Sequence, residues 1–270
     1  MPKVIKQSYR IMGPCPTDHV GALKRIEEIG RVCWQSGEKT TEESYLKFVD
    51  MLFDKKHLAM LDHSLFVMAS RCQQAALDDS NFIYSSREGT GPWIYAGNYR
   101  AYIEALGFTS IHDINRLRCA QVVENIPNWA QSVSVDFTTN RAMSHELVRH
   151  RPCGFAQLSQ RYVDHTKDLE FILPVRYYDK QKMNPQYDHW LASMAACEQA
   201  YREARQYGQS PQEARDHLPN STATQIIITA PLPQWQHMFG QRCAKGADPL
   251  MRDLMTPLRD EFISLGWDKI

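Results

Sequence analysis

Between residues 132 and 138 the chain alternates Val133, Val135 and Phe137 with Ser134, Asp136 and Thr138. A period of two sends successive side chains to opposite faces, so the segment reads as a strand with one face buried. Asn140 then opens a helical pattern that has to end near Arg151, because Pro152 disfavours helical geometry in the residue before it. A strand running directly into a helix points to a layered fold containing both element types.

The rest of the chain interleaves both periodicities. Residues 3–12 read as a strand. Thr17 and Asp18 can cap a helix that runs to about Trp34, with Val20, Leu23, Ile26, Ile29 and Val32 near helical spacing. Thr41 can cap a second helix, 42–53, with Tyr45, Phe48, Val49 and Leu52 on one face. Strands are expected at 64–72 and 225–230, and helices at 99–106, 115–123, 184–207, 233–243 and 249–265. The polar stretch 78–92 reads as an exposed loop. Neither GxGxxG nor GxxxxGK[ST] occurs, so the dinucleotide fold and the P-loop are unsupported. The reading is an irregular α/β or α+β fold, a single domain over 1–270, with 78–130 as a candidate, partly inserted segment.

Composition narrows the function. Thirty-one Lys+Arg balance 31 Asp+Glu, which argues against a general nucleic-acid binder, since that affinity needs excess cations. The first residues lack the apolar run of a signal peptide, and Ile226 to Ile228 is a buried strand at most, so no membrane partner is expected. The seven cysteines (15, 33, 72, 119, 153, 197 and 243) are scattered, odd in number and free of CxxC spacing. That indicates neither a metal site nor a disulfide framework, and suits a cytoplasmic protein with cysteines as small buried hydrophobes.

The densest charge lies between His145 and Tyr162. With Arg141, the chain places Arg149, Arg151, Arg161, His145 and His150 in about twenty residues of an otherwise neutral protein. A helix C-terminus attracts cations, and one or two would suffice to cap it. Ser159 and Arg161 continue the donor supply past Pro152, and arginine forks with a hydroxyl suit phosphate oxygens. Further along, Arg215 precedes Leu218-Pro219-Asn220-Ser221-Thr222, and it could equally be a solvated surface residue. Arg242, flanked by Met238, Phe239 and Cys243, is expected to be partly buried and to need an anionic partner. Asp62-His63 reads as a core hydrogen-bonding pair in preference to a catalytic base. No Ser-His-Asp, Cys-His or metal constellation assembles from spacing, so redox or group-transfer chemistry would come from a bound cofactor.

Arg149-His150-Arg151, Ser159 and Arg161-Tyr162 resemble the RHRxxSxxxxSxRY signature of the flavin-dependent thymidylate synthases. Gly30 to Trp34 is similar to the family's ARxCY segment and His57 to His63 to its HxSPLEH segment. Phe171 to Pro174, Leu218 to Thr222 and Gln241 to Cys243 follow in register. The resemblance implies a homotetramer of α/β subunits, each with a central mixed or antiparallel sheet flanked by helices and with active sites between subunits. It implies FAD as cofactor, with dUMP, methylenetetrahydrofolate and NADPH as reactants, and no attacking cysteine. By matching position, His57, Arg149, His150, Arg151, Gln157 and His237 are expected at FAD. Glu146, Gln157, Ser159, Gln160, Arg161, Arg215 and Arg242 are expected at dUMP. Arg242 is the expected catalytic residue, facing the uracil and favouring its N3-ionised form.

Four features depart from the pattern. Gly154 stands at the signature's first serine, Ala59 at the hydroxyl of HxSPLEH, and Leu158 at an often acidic position. Pro231 and Pro233 replace the Asn and Arg of an NxR segment that contacts flavin in the family. Two alternatives follow: a related enzyme that hydroxymethylates dUMP, or a non-catalytic nucleotide-binding homologue. Gly97-Asn98-Tyr99-Arg100-Ala101 resembles a GNxRA element of some relatives.

Overall fold

The computed structural model describes residues 1–111, 113–114, 121–122, 126–179 and 184–269. In chain order the elements are β1 (Lys3–Ile5), β2 (Ser8–Pro14), α1 (His19–Val32), α2 (Ser44–Asp54), β3 (Phe66–Ser70), α3 (Ala75–Asp78), β4 (Ile83–Arg87), β5 (Trp93–Gly97), α4 (Tyr99–Leu106) and β6 (Gln121–Val122). There follow β7 (Ser132–Asn140), α5 (Arg141–Leu147), β8 (Gly154–Gln157), β9 (Glu170–Ile172), α6 (Pro185–Gln206), α7 (Pro211–Ala214), β10 (Ala223–Pro231), α8 (Leu232–Arg242) and α9 (Pro249–Ser264).

The alternation that marks β7 separates its two faces, but both are buried, Ser134 and Asp136 included. Val133, Val135 and Phe137 are fully buried and pair in register with Ala230, Ile228 and Ile226 of β10. This face packs on Trp235 and Met238 of α8 and on Met251, Leu254 and Leu258 of α9. The opposite face puts Ile227 and Ala156 against Ile29 of α1. The sheet, ordered β2-β7-β10-β8 and antiparallel throughout, is therefore covered by helices on both sides. Full burial of each large apolar side chain contributes about 1.5–3 kcal/mol, and this layer holds the most of them.

A second antiparallel sheet, β4-β5-β3-β6, shares its core with α1, α2 and α4 through Leu23, Ile26, Phe48, Leu52, Phe66 and Tyr102. A parallel pair, β1-β9, leads to a smaller cluster under α6. The fold is thus mixed α and β with antiparallel sheets flanked by helices, but with two four-stranded sheets where one central sheet was expected.

Several local expectations need correction. The 78–92 loop is largely structured, because β4 pairs along its length with β5. Its Ser85 and Arg87 are exposed and alternate with half-buried Tyr84 and Ser86, as an edge strand with one face toward solvent allows. The strand at 3–12 is two strands. Thr41 does not cap α2, which starts at Ser44, and the Thr41 N–H donates to Ser44 Oγ instead. The helix after Asn140 stops at Leu147, short of Pro152. The expected helix 115–123 lies outside the described residues except for Gln121–Val122, which is strand. Of the described cysteines only Cys15 is buried, and Cys72 is exposed; Cys119 lies outside the described residues. No helix among the described residues is long and apolar enough to cross a membrane.

Candidate functional site

Asn140 caps α5 by accepting the Met143 N–H at 2.9 Å. This fixes the helix start directly after β7 and turns Glu146 toward the end of α8. Beyond Leu147 the chain makes a tight turn, with His150 N–H donating to the Leu147 carbonyl at 3.2 Å. The turn brings Glu146 and His150 around Arg242, the last residue of α8. Arg242 Nε donates to His150 Nε2 at 2.9 Å, Nη1 to Glu146 Oε2 at 2.5 Å, and Nη2 to the Glu146 carbonyl at 2.8 Å. Arg242 is thus partly buried and has the anionic partner its surroundings demanded.

Because the guanidinium can only donate, His150 Nε2 must accept, which places the imidazole proton on Nδ1. His150 is 5% exposed. Burial first, then the Arg242 charge and His237, push its pKa down to about 4. His237 lies edge-on to His150 with ring centroids 6.3 Å apart and is hydrogen-bonded to Gln241 at 3.0 Å. Glu146, His150, His237 and Arg242 therefore form one cluster. The sequence assigned these residues to two different ligands.

A second group lines a cavity of about 520 Å³ that contains His57, Gln157 and Ser159 together with Cys33, Trp34, Lys56, Ala59, Met60, Arg100 and Tyr162. Its walls are apolar or aromatic, and its cations are Lys56 and Arg100. Gln157 is held there by donating to Ser144 Oγ at 2.8 Å and to Thr224 Oγ1 at 3.2 Å. Arg100, from the GNxRA element, bonds Glu104 at 2.7 Å and lies 3.7 Å from Asp62. Arg242 and Glu146 do not line this cavity.

The remaining arginines are placed variously. Arg149 and Arg151 are exposed, and Arg151 turns back onto the Val148 and His150 carbonyls at 2.6 and 2.8 Å. Arg161 is exposed and donates to Gln212 at 2.8 Å, tying the signature loop to α7. Gln160 is half-buried, its Nε2 without a hydrogen-bond partner among the described residues. Arg215 is half-buried, not fully solvated. Burial and the charge of Arg215 together push Arg141 below the usual arginine range, and among the described residues neither forms an ion pair with an acid. Two neighbouring cations of this kind suit an anion. Sequence reading counted Arg141 in the basic cluster but assigned it no role. The missing signal was spatial: Thr222 and Asn220 accept the Arg141 and Ala142 N–H groups, and this draws the Arg215 segment alongside α5.

The departures acquire physical causes. A Cβ on Gly154 would lie 2.9 Å from Asp62 Cβ and 3.1 Å from the Asp62 backbone, so the close approach of the 3-10 turn Leu58–His63 excludes a serine. Leu158 is buried. Pro231 and Pro233 at the start of α8 carry no N–H, and the Leu232 N–H donates to the Gln131 carbonyl at 2.9 Å. His63 is a core residue as expected, bonded to Thr229 Oγ1 at 2.7 Å. Asp62 is not its partner but faces Arg100, and burial raises its carboxyl to about 6. Burial also drives the Cys153 thiol up to about 12, far from an activated thiolate. No metal-binding group of His, Cys, Asp or Glu occurs among the described residues.

A family profile described as thymidylate synthase complementing protein matches residues 129–265, just over half of the chain. Among curated proteins, a flavin-dependent thymidylate synthase of Thermococcus onnurineus is 34% identical over 127 residues, covering 46% of this chain and 50% of that protein. The protein of the same name from Geobacter sulfurreducens is 36% identical over 120 residues, 44% of this chain and 50% of that one. One from a Mycobacterium species is 29% identical over 145 residues, 47% and 56% respectively. The chain spans about half the length of the curated relatives it matches. With the profile covering β7 through α9, and signature residues 149–162 falling in the turn after α5, on β8 and in the loop beyond it, the chain belongs to the flavin-dependent thymidylate synthase family.

Proposed function

We propose that this protein converts dUMP to dTMP, with methylenetetrahydrofolate as carbon donor and NADPH as reductant through FAD. The observation that carries the reading is the cluster in which Arg242 is held by Glu146, on α5, and His150, in the turn beyond it. The chain's residues suit a flavin dinucleotide. Trp34, Met60 and Tyr162 offer flat or apolar walls for a ring system, and exposed Arg149 and Arg151 offer donors for phosphates. His57, Gln157 and His237 would complete that site, with His150 acting through Arg242. When bound, the flavin supplies the redox chemistry that no side chain here can supply.

The chain's own residues bind and orient. Ser159, Gln160 and Arg161 from the signature loop, and Arg215 with Arg141, would hold the nucleotide, its phosphate above all. Glu146 and Arg242 would meet the base. These residues are distributed over separate regions of one chain, which supports active sites assembled between subunits of a homotetramer. The test is to incubate the protein with dUMP, methylenetetrahydrofolate, FAD and NADPH and identify the nucleotide by mass. A product heavier by one CH2 unit, a methyl group in place of the ring hydrogen, supports the reading. Arg242→Ala should lower turnover at least a hundredfold, about the loss on removing one essential electrostatic donor, while flavin absorbance on the protein persists. One observation favours a second reading: at residues 231–233, where the family's NxR segment would contact flavin, two prolines carry no N–H and Leu232 donates to the Gln131 carbonyl. A hydroxymethylated product in the same assay would establish that alternative and displace the first.

A further inference from the structure

The phosphate side of the proposed nucleotide site draws on two remote segments, the signature loop with Ser159 and Arg161 and the turn at Arg215. Both are docked on the C-terminal part of α6. Tyr201, fully buried on that helix, packs with Ala204 against Ala214 of α7, and its hydroxyl accepts the His165 N–H at 3.1 Å. Four residues further on, Arg205 joins the two segments directly. Its Nη2 and Nε donate to Asp164 Oδ2 at 2.9 and 3.3 Å, and its Nη1 donates to the Gln209 carbonyl, just ahead of α7.

Each end of this bridge leads within a few residues to a cation of the site. On the loop side, Asp164 also accepts the Thr166 N–H at 2.9 Å and the Thr166 hydroxyl, and the Val163 N–H donates to the Ser159 carbonyl at 3.1 Å. The loop from Ser159 to Thr166 is thereby one hydrogen-bonded unit. On the other side, the chain reverses at Gly208, whose φ is +88°, and a capping box between Ser210 and Glu213 starts α7, which runs directly into Arg215. Arg161 adds a second tie by donating to Gln212 of α7 at 2.8 Å. A guanidinium can hold a carboxylate and a carbonyl at once in fixed directions, which a single ammonium does poorly. We propose that Arg205 is a positioning residue for the nucleotide site: by bridging Asp164 and Gln209 it holds Arg161 and Arg215 at the spacing that grips the phosphate of dUMP. The inference rests on the reading of dUMP as substrate, and Arg205 acts only through its two partners.

Steady-state kinetics of the full chain with varied dUMP test it, alongside calorimetric titration with dUMP. The variants are Arg205→Ala, the near-isosteric Asp164→Asn and Arg205→Lys. The control is Arg202→Ala, which removes an ion pair with Glu198 on the same helix. In Arg205→Ala and Asp164→Asn, KM and Kd for dUMP should rise about tenfold, within the loss that a displacement of about 1 Å can cause. Their kcat and flavin absorbance should hold. Arg205→Lys keeps the charge without the fork and should resemble Arg205→Ala, whereas Arg202→Ala should match the wild type. A lowered kcat at unchanged KM in Arg205→Ala reports loss of folded enzyme and overturns the positioning role. So do a wild-type KM in Asp164→Asn or Arg205→Lys, and an equal rise in Arg202→Ala. A wild type that neither binds dUMP nor turns it over overturns the dUMP reading and this inference with it.

Discussion

His150 serves Arg242 only while its Nε2 lone pair is free, and burial guarantees this near neutral pH. Its folded pKa of about 4 lies below the unfolded value of about 6.5. The unfolded chain therefore takes up the proton first, and stability falls as pH drops from about 6.5 toward 4. His63, pushed down to about 3 by burial, acts in the same sense. Asp62, raised to about 6, acts in the opposite sense: its contribution is present below about pH 4 and is lost as pH rises through 6. In His150→Gln the amide oxygen can still accept from Arg242, but the proton uptake is gone. The fall of Tm between about pH 6.5 and 4 should become shallower in that variant, read by calorimetry against the wild type. Parallel curves would show that His150 does not titrate on unfolding. In the sequence the RHR triplet read as three ligands of one cofactor, because spacing cannot tell an inward-turned histidine from two outward arginines.

Gly154 shows how one element constrains another. Strand β8 begins under the 3-10 turn Leu58–His63, and the turn comes so close that only a hydrogen fits. Restoring the signature's serine, Gly154→Ser, should destabilise the fold by about 1–3 kcal/mol, the usual cost of overpacking. Denaturant unfolding measures this, and an unchanged midpoint would mean that the turn yields freely. The same turn carries His57 and Ala59 into the cavity, so the variant should also weaken ligand binding there. Capping chemistry was legible only in part: Asp18 caps α1 and α5 starts directly after Asn140 as expected, whereas Thr41 caps nothing, and the caps Asn98 of α4 and Asn184 of α6 emerge only in the structure. Strand β4 was not legible, because an edge strand with a solvated face has a loop-like composition.

At the scale of the molecule, the candidate residues fall into separate groups. Glu146, His150, His237 and Arg242 cluster between α5 and α8, while His57, Gln157 and Ser159 line the cavity beside α1. If the active site is shared between subunits, as proposed, two inactive variants should rescue one another. Mixing Arg242→Ala with Ser159→Ala under conditions that exchange subunits should restore dTMP formation that neither variant shows alone. Absence of rescue despite mixed oligomers, confirmed by native mass spectrometry, would place a complete site within each chain.

The sequence alone determined the β7–α5 unit, the Asp18 cap that starts α1, the basic stretch from His145 to Tyr162 and the family. Each is written in local periodicity, in one residue's bond to the next turn, or in a linear signature. Tertiary structure alone decided which of those basic residues face one another. Glu146 and Arg242 are ninety-six positions apart, and their ion pair exists because β10 lies against β7 and delivers α8 to the end of α5. Hydrogen bonding and charge compensation depend on distances of a few ångströms, and strand pairing between remote segments sets those distances.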